Sequence, residues 1–316
     1  MSTVPRKLTI VGAGYVGMTA AHLAAQQDLA SQIVLLDVLG GRAEGLALDL
    51  TQAGAIEGFG ARITGGKDPA LAADSDLVIV TAGRPRKPGM SRSDLLEVNG
   101  RIVAEVATWL RTNSPDAIVI VVTNPLDSML GLMRRRLGFS TQRVIGMAGA
   151  LDAARLCGFV ARELNASIQD VDAMVLGAHG DSMVPLCGST TVAGVPIKQL
   201  LGADKIESAV ERTRHGGAQI VKLLETGSAF FAPAAGAVMM AASILLDQRR
   251  LIACTVELNG EYGIEGLPIG VPCILGRHGV ERIVELPLDT EARIGLNKTA
   301  GEVQRDIDAL RDRGLW

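Results

Sequence analysis

Two short segments, Leu151-Asp152-Ala153-Ala154-Arg155 and Gly177-Ala178-His179-Gly180-Asp181, bring together an acid, a guanidinium and an imidazole. Asp152 and Arg155 stand three apart at the start of a helical pattern, so both can leave one face of a helix. His179 follows the apolar strand-like run Ala173-Met174-Val175-Leu176 and is flanked by Gly177 and Gly180, which admit close approach of backbone or ligand. A carboxylate beside an imidazole fixes its tautomer and favours its charged form. A neighbouring arginine can hold a substrate carboxylate with two parallel hydrogen bonds. The set amounts to a proton donor aimed at a carboxylate-bearing molecule.

A second constellation lies near the start. Gly12-Ala13-Gly14-Tyr15-Val16-Gly17 joins a short apolar strand, residues 8–11, to a helical pattern over 15–27. In such a turn Gly12 would allow the tight bend, Gly14 the approach of a pyrophosphate, and Gly17 the packing of helix on strand. The helix N-terminus offers unpaired N–H groups to phosphates. Asp37 closes the next strand, 33–36, where it would accept hydrogen bonds from a ribose diol and repel a 2′-phosphate. NAD is therefore expected as cofactor, in preference to NADP.

Two further segments are open to more than one reading. Asn124 follows the apolar run 118–122, where ligands gather beyond the carboxyl ends of strands, yet Asn-Pro is also an ordinary turn. The run from Arg84 to Arg92 carries four positive charges, two prolines and a glycine. By composition it is a solvated surface loop; over a cofactor site it could close on an anion and exclude water.

The elements that must position these groups alternate through the first half. Runs at 77–80 and 118–122 are apolar throughout, as in strands buried on both faces of a parallel sheet, and 144–145 is a last short strand. Between them, 93–111 has helical spacing, with Leu96, Ile102, Val103, Val106 and Leu110 on one side. The expected fold is α/β: a Rossmann-type doubly wound parallel sheet over 1–147, followed by an α+β substrate domain over 148–316. Helical patterns at 152–164, 204–224, 228–246 and 289–313, and strand candidates at 251–258, 273–275 and 282–285, make up the second part.

Composition excludes several classes. With 48% hydrophobic and 21% charged residues the chain is of soluble globular type, and a net charge of −3 offers no basic stripe for nucleic acid. The four cysteines form no CxxC pattern, and no histidine pair has metal-ligand spacing, so neither a disulfide framework nor a metal site is expected. The uncharged stretch 229–246 approaches the length of a membrane span, but its alanines and Pro233 suit a buried helix, and no membrane segment is expected. Reduced thiols and a start without a signal peptide point to the cytoplasm. Arg214 and His215 read as a solvated helix face, with an anion site between subunits as the alternative.

Taken in order, several of these motifs resemble the lactate/malate dehydrogenase superfamily, nearest its malate branch. The resemblance spans nearly the whole chain and rests on Gly12–Gly17, Arg86–Arg92, Thr123-Asn124-Pro125-Leu126-Asp127, Gly146-Met147-Ala148-Gly149, Gly180–Pro185, Thr226–Phe230 and Gly270-Val271-Pro272. It implies that His179 gives and takes the proton, that Asp152 orients it, and that Arg155 holds the carboxylate beside the reacting carbon. It implies that Arg92 polarises the carbonyl, that Arg86 binds a distal carboxylate where lactate dehydrogenases place Gln, and that Asn124 contacts substrate or nicotinamide. Cofactor contacts are implied for Gly12, Gly14, Gly17, Asp37, Asn99 and Asn124. The implied substrate is a small dicarboxylate, malate or oxaloacetate, in the tricarboxylic acid cycle. The implied assembly is a homo-oligomer, a tetramer in preference to a dimer. A lactate or other 2-hydroxy-acid dehydrogenase and a non-catalytic NAD(H)-binding sensor are the competing readings; Arg86 separates the first and the intact His179–Asp152 pair the second. Ala178, Ala154 and the Gly276-Arg277-His278-Gly279 turn depart from the family pattern without removing a catalytic group.

Overall fold

The structure, a computed structural model, describes residues 6–85 and 91–316. The first half runs β1 (Lys7–Val11), α1 (Tyr15–Gln26), β2 (Gln32–Leu36), α2 (Gly40–Glu57), β3 (Arg62–Gly66), β4 (Leu77–Val80), α3 (Arg92–Asn113), β5 (Ile118–Val121), α4 (Leu126–Leu137) and β6 (Val144–Gly146). These six strands pair in parallel in the order β6-β5-β4-β1-β2-β3.

The continuous apolar strands feed two cores at once. Leu77, Ile79, Ile118 and Ile120 face one side with Leu8 and Ile10, in a core that also takes the alanines of α1. Val78, Val80, Val119 and Val121 face the other, against Leu96, Val103 and Leu110 of α3 and Met129 and Met133 of α4. Successive side chains of a strand point to opposite faces, so a strand covered on both must be apolar at every position.

The second half runs α5 (Gly149–Leu164), β7 (Val171–Asp172), β8 (Val175–Leu176), β9 (Val184–Pro185), β10 (Thr191–Val192), β11 (Val195–Pro196), α6 (Ile197–Leu200), α7 (Ala203–Leu224), α8 (Phe231–Leu245), β12 (Arg250–Asn259), β13 (Glu265–Gly276), β14 (Gly279–Ile283) and α9 (Thr290–Asp312). β12, β13 and β14 form an antiparallel set that joins the edge of β6 through Thr255 opposite Gly146, giving one sheet of nine strands. No gap therefore separates the two halves at residue 147; the sheet runs across it. The strand expected at 173–176 is shorter, only Val175–Leu176, and that expected at 273–275 is the end of a 12-residue strand. The uncharged stretch at 229–246 forms α8, packed against α1, α5 and β13. Among the described residues no helix is long and apolar enough to cross a membrane.

Candidate active site

The glycine-rich turn has a different physical reason for each glycine. Gly12 has φ of +104°, and a Cβ there would lie 2.7 Å from Thr81 Oγ1. Thr81 in turn donates to the Val11 and Gly12 carbonyls at 3.2 and 3.0 Å, fixing the bend. A Cβ at Gly17 would run into the Gly12 carbonyl oxygen, so this residue sets how closely α1 lies on the turn. A Cβ on Gly14 would point into open space, with no non-neighbouring atom within 4 Å, and no side chain caps the N-terminus of α1. The first turn of a helix has no intrahelical partners for its N–H groups. Open space above uncapped donors is what a pyrophosphate requires. Asp37, half-buried at the end of β2, accepts from Ala13 N at 2.7 Å and from Leu39 N at 2.9 Å, which ties the acid to the turn.

Asn99 occupies a different place from the glycines and Asp37. It is 1% exposed on α3. Its Nδ2 donates to the Arg84 carbonyl at 3.1 Å and the Asn124 carbonyl at 2.6 Å, and its Oδ1 accepts from Arg84 N at 2.7 Å. Its amide is spent on holding two loops together. Asn124 is exposed at the head of α4, on the wall shared by two cavities.

The His179–Asp152–Arg155 cluster is assembled within the second half of the chain, from α5 and the segment after β8. Asp152 is buried in the first turn of α5. Its Oδ2 lies 2.9 Å from His179 Nδ1, and its Oδ1 accepts from Arg155 Nη1 at 3.1 Å. One carboxylate thus orients both groups that the spacing predicted to meet a substrate. Arg155 lies along α7, where small residues make room: a Cβ on Gly217 would stand 3.3 Å from Arg155 Nη2. Arg155 Nε is buried and has no hydrogen-bond partner among the described residues. Burial pulls the pKa of the His179 imidazole down, but the charge and hydrogen bond of Asp152 outweigh it, and the net shift is upward. Arg155 opposes that rise and Asp127 adds to it.

The ring of His179 stands between the two cavities. The smaller, about 320 Å³, is also lined by Thr81, Val122, Asn124, Arg155, Arg214 and Ala229, and reaches from the glycine-rich turn's side of the sheet to Arg155. The larger, about 590 Å³, lies on the other side, between the start of α4 and α9. Arg214, read from the sequence as a solvated residue, stands in the wall of the smaller cavity and pairs with Glu211, while His215 is exposed. The Arg277-His278 turn lines neither cavity. Ala178 is buried, its N–H bound to Thr299 Oγ1 at 2.8 Å.

Arg86 lies outside the described residues, and of Arg92 only the backbone is described, as the first residue of α3. That helix begins at a capping box, with Asp94 N donating to Ser91 Oγ and Ser91 N to Asp94 Oδ2, both at 3.0 Å. The box fixes where the basic segment ends and where Arg92 enters the helix. Among the described residues no group of three or more potential metal ligands gathers.

A parallel sheet with an open glycine-rich turn, and a His–Asp pair bound to an arginine at the wall of a cavity, define the class of nicotinamide-dependent dehydrogenases acting on a CH–OH group. The comparisons with known proteins agree. Residues 6–146 match the lactate/malate dehydrogenase NAD-binding domain, and residues 149–313 match the lactate/malate dehydrogenase alpha/beta C-terminal domain. A malate dehydrogenase of Roseiflexus castenholzii is 47% identical over 305 residues, covering 96% of this chain and 98% of the relative. The solved malate dehydrogenase of Salinibacter ruber superposes with a TM-score of 0.93 at 44% identity, covering 98% of this chain and 99% of that one. The lactate dehydrogenase of Cryptosporidium parvum, solved with lactic acid and nicotinamide adenine dinucleotide, superposes at 0.94 with 36% identity, covering 98% and 99%. The chain belongs to the lactate/malate dehydrogenase family.

Proposed function

We propose that this enzyme reversibly oxidises malate to oxaloacetate with NAD. The observation that carries the reading is the Asp152 carboxylate, shared at 2.9 and 3.1 Å between His179 and Arg155 beside a cavity that extends toward the glycine-rich turn. Relatives named malate dehydrogenase at nearly half identity over nearly the full length support the substrate. A nicotinamide cofactor held by the glycine-rich turn and Asp37 would supply the hydride acceptor for malate and the hydride donor for oxaloacetate.

The chain's own residues do the rest. Gly12, Gly14 and Gly17 shape the turn that receives the pyrophosphate, and Asp37 binds the ribose. Asn99 serves the cofactor site through the Arg84 and Asn124 backbone that it holds. Arg155 pairs with the carboxylate beside the reacting carbon. His179 Nε2 gives a proton to the carbonyl oxygen in reduction and removes it from the hydroxyl in oxidation. Asp152 holds Nδ1 and balances the imidazolium charge. Arg92 polarises the carbonyl, where negative charge develops, and Asn124 contacts substrate or nicotinamide. Fixed donors of this kind act most strongly once water is excluded.

Arg86 selects the distal carboxylate. With pyruvate enclosed, that guanidinium would have no partner, and an unpaired buried charge costs about 3–5 kcal/mol. At about 1.4 kcal/mol per factor of ten, this amounts to roughly a hundredfold to several thousandfold discrimination. Residues 1–147 form the NAD-binding domain and 148–316 the substrate domain. The four cysteines, all free thiols, suit the reducing cytoplasm, where the reaction belongs to the tricarboxylic acid cycle. The working assembly is a homotetramer, with neither nucleic acid nor membrane as partner.

His179→Asn tests the reading. The variant is expected to bind NADH with unchanged affinity, measured by nucleotide fluorescence, and to lose at least about a hundredfold in kcat, the lower end of what a general acid–base group contributes. Turnover close to that of the unaltered enzyme would contradict the assignment.

A further inference from the structure

Gly216 and Gly217 stand side by side in the interior of α7, a 22-residue helix. Glycine is among the poorest helix formers, because it loses the most backbone freedom on folding. A consecutive pair inside a long helix therefore calls for a packing reason. Elsewhere α5 and α7 meet through long side chains: Arg212 lies over the Phe159 ring, 4.3 Å from its centroid, and pairs with Glu163 at 3.1 Å. At the two glycines the contact changes, and the side chain of Arg155 lies against the helix backbone itself.

The two glycines face different parts of that side chain. A Cβ on Gly216, which is buried, would meet the stem, with Arg155 Cδ at 3.5 Å and Phe159 Cε2 at 3.7 Å, both ordinary contacts. A Cβ on Gly217 would meet the charged end. Its three nearest atoms would be Arg155 Nη2 at 3.3 Å, and Cζ and Nη1 at 3.8 Å each. All three belong to the guanidinium, so what Gly217 clears is the functional group and not the packing of helix on helix.

Arg155 has little else to fix it. Among the described residues its hydrogen bond is the one from Nη1 to Asp152 Oδ1, and its side chain is only 14% exposed. A guanidinium held by one hydrogen bond can pivot about it, so the second constraint is the surface on which it rests. Gly217 also lines the smaller cavity, together with Arg214, three residues before it, and Val221, four after, on one face of α7. We infer that Gly217 is a positioning residue for substrate binding: its bare backbone is the seat of the Arg155 guanidinium, and the depth of that seat sets where the substrate carboxylate is held. This rests on the reading of Arg155 as the carboxylate anchor. One methyl at 217 would shift the guanidinium off its seat by a few tenths of an ångström, and a branched side chain would shift it further.

The seat makes stability and activity move in opposite directions. Alanine at either position relieves the helix of a glycine, so Gly216→Ala and Gly217→Ala are both expected to keep or raise the thermal midpoint of the full-length enzyme. Gly217→Ala alone is expected to weaken the anchor. Arg155 holds the carboxylate in ground state and transition state alike, and loss of such binding raises KM with kcat little changed. In NADH-dependent reduction, the KM for oxaloacetate is expected to rise about 3- to 30-fold in Gly217→Ala and further in Gly217→Val, with kcat within about twofold in Gly217→Ala; a full ångström of misplacement would cost about a hundredfold. Pyruvate carries the same carboxylate, so the ratio of kcat/KM for the two substrates is expected to stay put. In an Arg155→Lys background, which lacks the atoms that Gly217 clears, adding Gly217→Ala is expected to raise KM no further.

A KM within twofold of the unaltered enzyme in Gly217→Ala would overturn the inference. So would an equal rise in Gly216→Ala, which would trace the effect to helix stiffness, or a lowered thermal midpoint in Gly217→Ala, which would trace it to a damaged fold. Should Gly217→Val fail to fold, Gly217→Ala and its Gly216→Ala control decide the matter. Arg155→Lys by itself separates the two levels. An unchanged KM in Arg155→Lys removes the anchor reading, whereas a raised one beside an unaltered Gly217→Ala removes only the seat.

Discussion

At the scale of residues, the chemistry comes down to how one carboxylate divides its two oxygens. Asp152 holds the imidazole with one and the Arg155 guanidinium with the other, so the proposed proton donor and the proposed substrate anchor share a reference point. Because the His179 pKa is raised, the imidazolium persists above the ordinary histidine range. Oxaloacetate reduction, which consumes that proton, is expected to hold at low pH and fall as pH rises through the His179 value; malate oxidation rises over the same window. The stability linked to this group has the same sign: full below about 6.5, and lost as pH rises through the raised value. Initial rates in both directions and a thermal melt against pH check these outcomes. Asp37 gives a second residue-scale test. Asp37→Ala removes the charge that would repel a 2′-phosphate, and the NADPH-to-NADH ratio of kcat/KM is expected to rise at least about tenfold, since like charges brought together cost several kcal/mol. The residue types at 152, 155 and 179 were legible in the sequence because acid, arginine and histidine are scarce in apolar surroundings. Asp127, which accepts from the His179 N–H and the Thr255 hydroxyl, was visible only as part of a motif, since these two partners lie 52 and 128 positions further on. Arg214 escaped because an arginine on an amphipathic helix looks solvated until the facing element is known.

At the scale of elements, close backbone approach does the positioning. Gly270 in β13 exchanges two backbone hydrogen bonds with Gly177, at 2.9 and 3.1 Å, and a Cβ on Gly270 would run into the Gly177 carbonyl oxygen. Gly270→Ala is therefore expected to destabilise the fold by about 1–3 kcal/mol, the usual cost of overpacking, and to lower kcat by displacing the His179 segment. Denaturant unfolding and a kcat measurement on the same preparation check both. The buried parallel strands were legible because their apolar runs are unbroken. The region around β13 was not, because Gly266, Pro268, Gly270 and Pro272 read as turn residues, yet all lie within one strand of the antiparallel set. α2 likewise went unpredicted. It carries glycines at 40, 41, 45 and 54, and buries only Ala43, Ala47 and Gly54, so its helical period has little apolar contrast.

At the scale of the whole molecule, the two halves are one sheet. β12, β13 and β14 extend the parallel strands through Thr255 and Gly146, and His179 lines cavities walled by residues of both halves. The presence of an NAD-binding first part and an α/β second part was legible from the switch between alternating strand–helix signals and longer helices. The continuity of the sheet was not, because it depends on a pairing between residues more than a hundred positions apart. The proposed tetramer is expected to elute in light-scattering chromatography with a mass near four times 33.0 kDa. Substrate choice also belongs to this scale, because it sets the charge enclosed by the closed site against the charge brought by the ligand. The most direct measurement is NADH oxidation by purified enzyme with oxaloacetate and with pyruvate, for the unaltered chain and for Arg86→Gln. The expected result is a kcat/KM for oxaloacetate at least about a hundredfold above that for pyruvate, with the ratio falling in Arg86→Gln. Preference for pyruvate, or a ratio that Arg86→Gln leaves unchanged, would contradict the account.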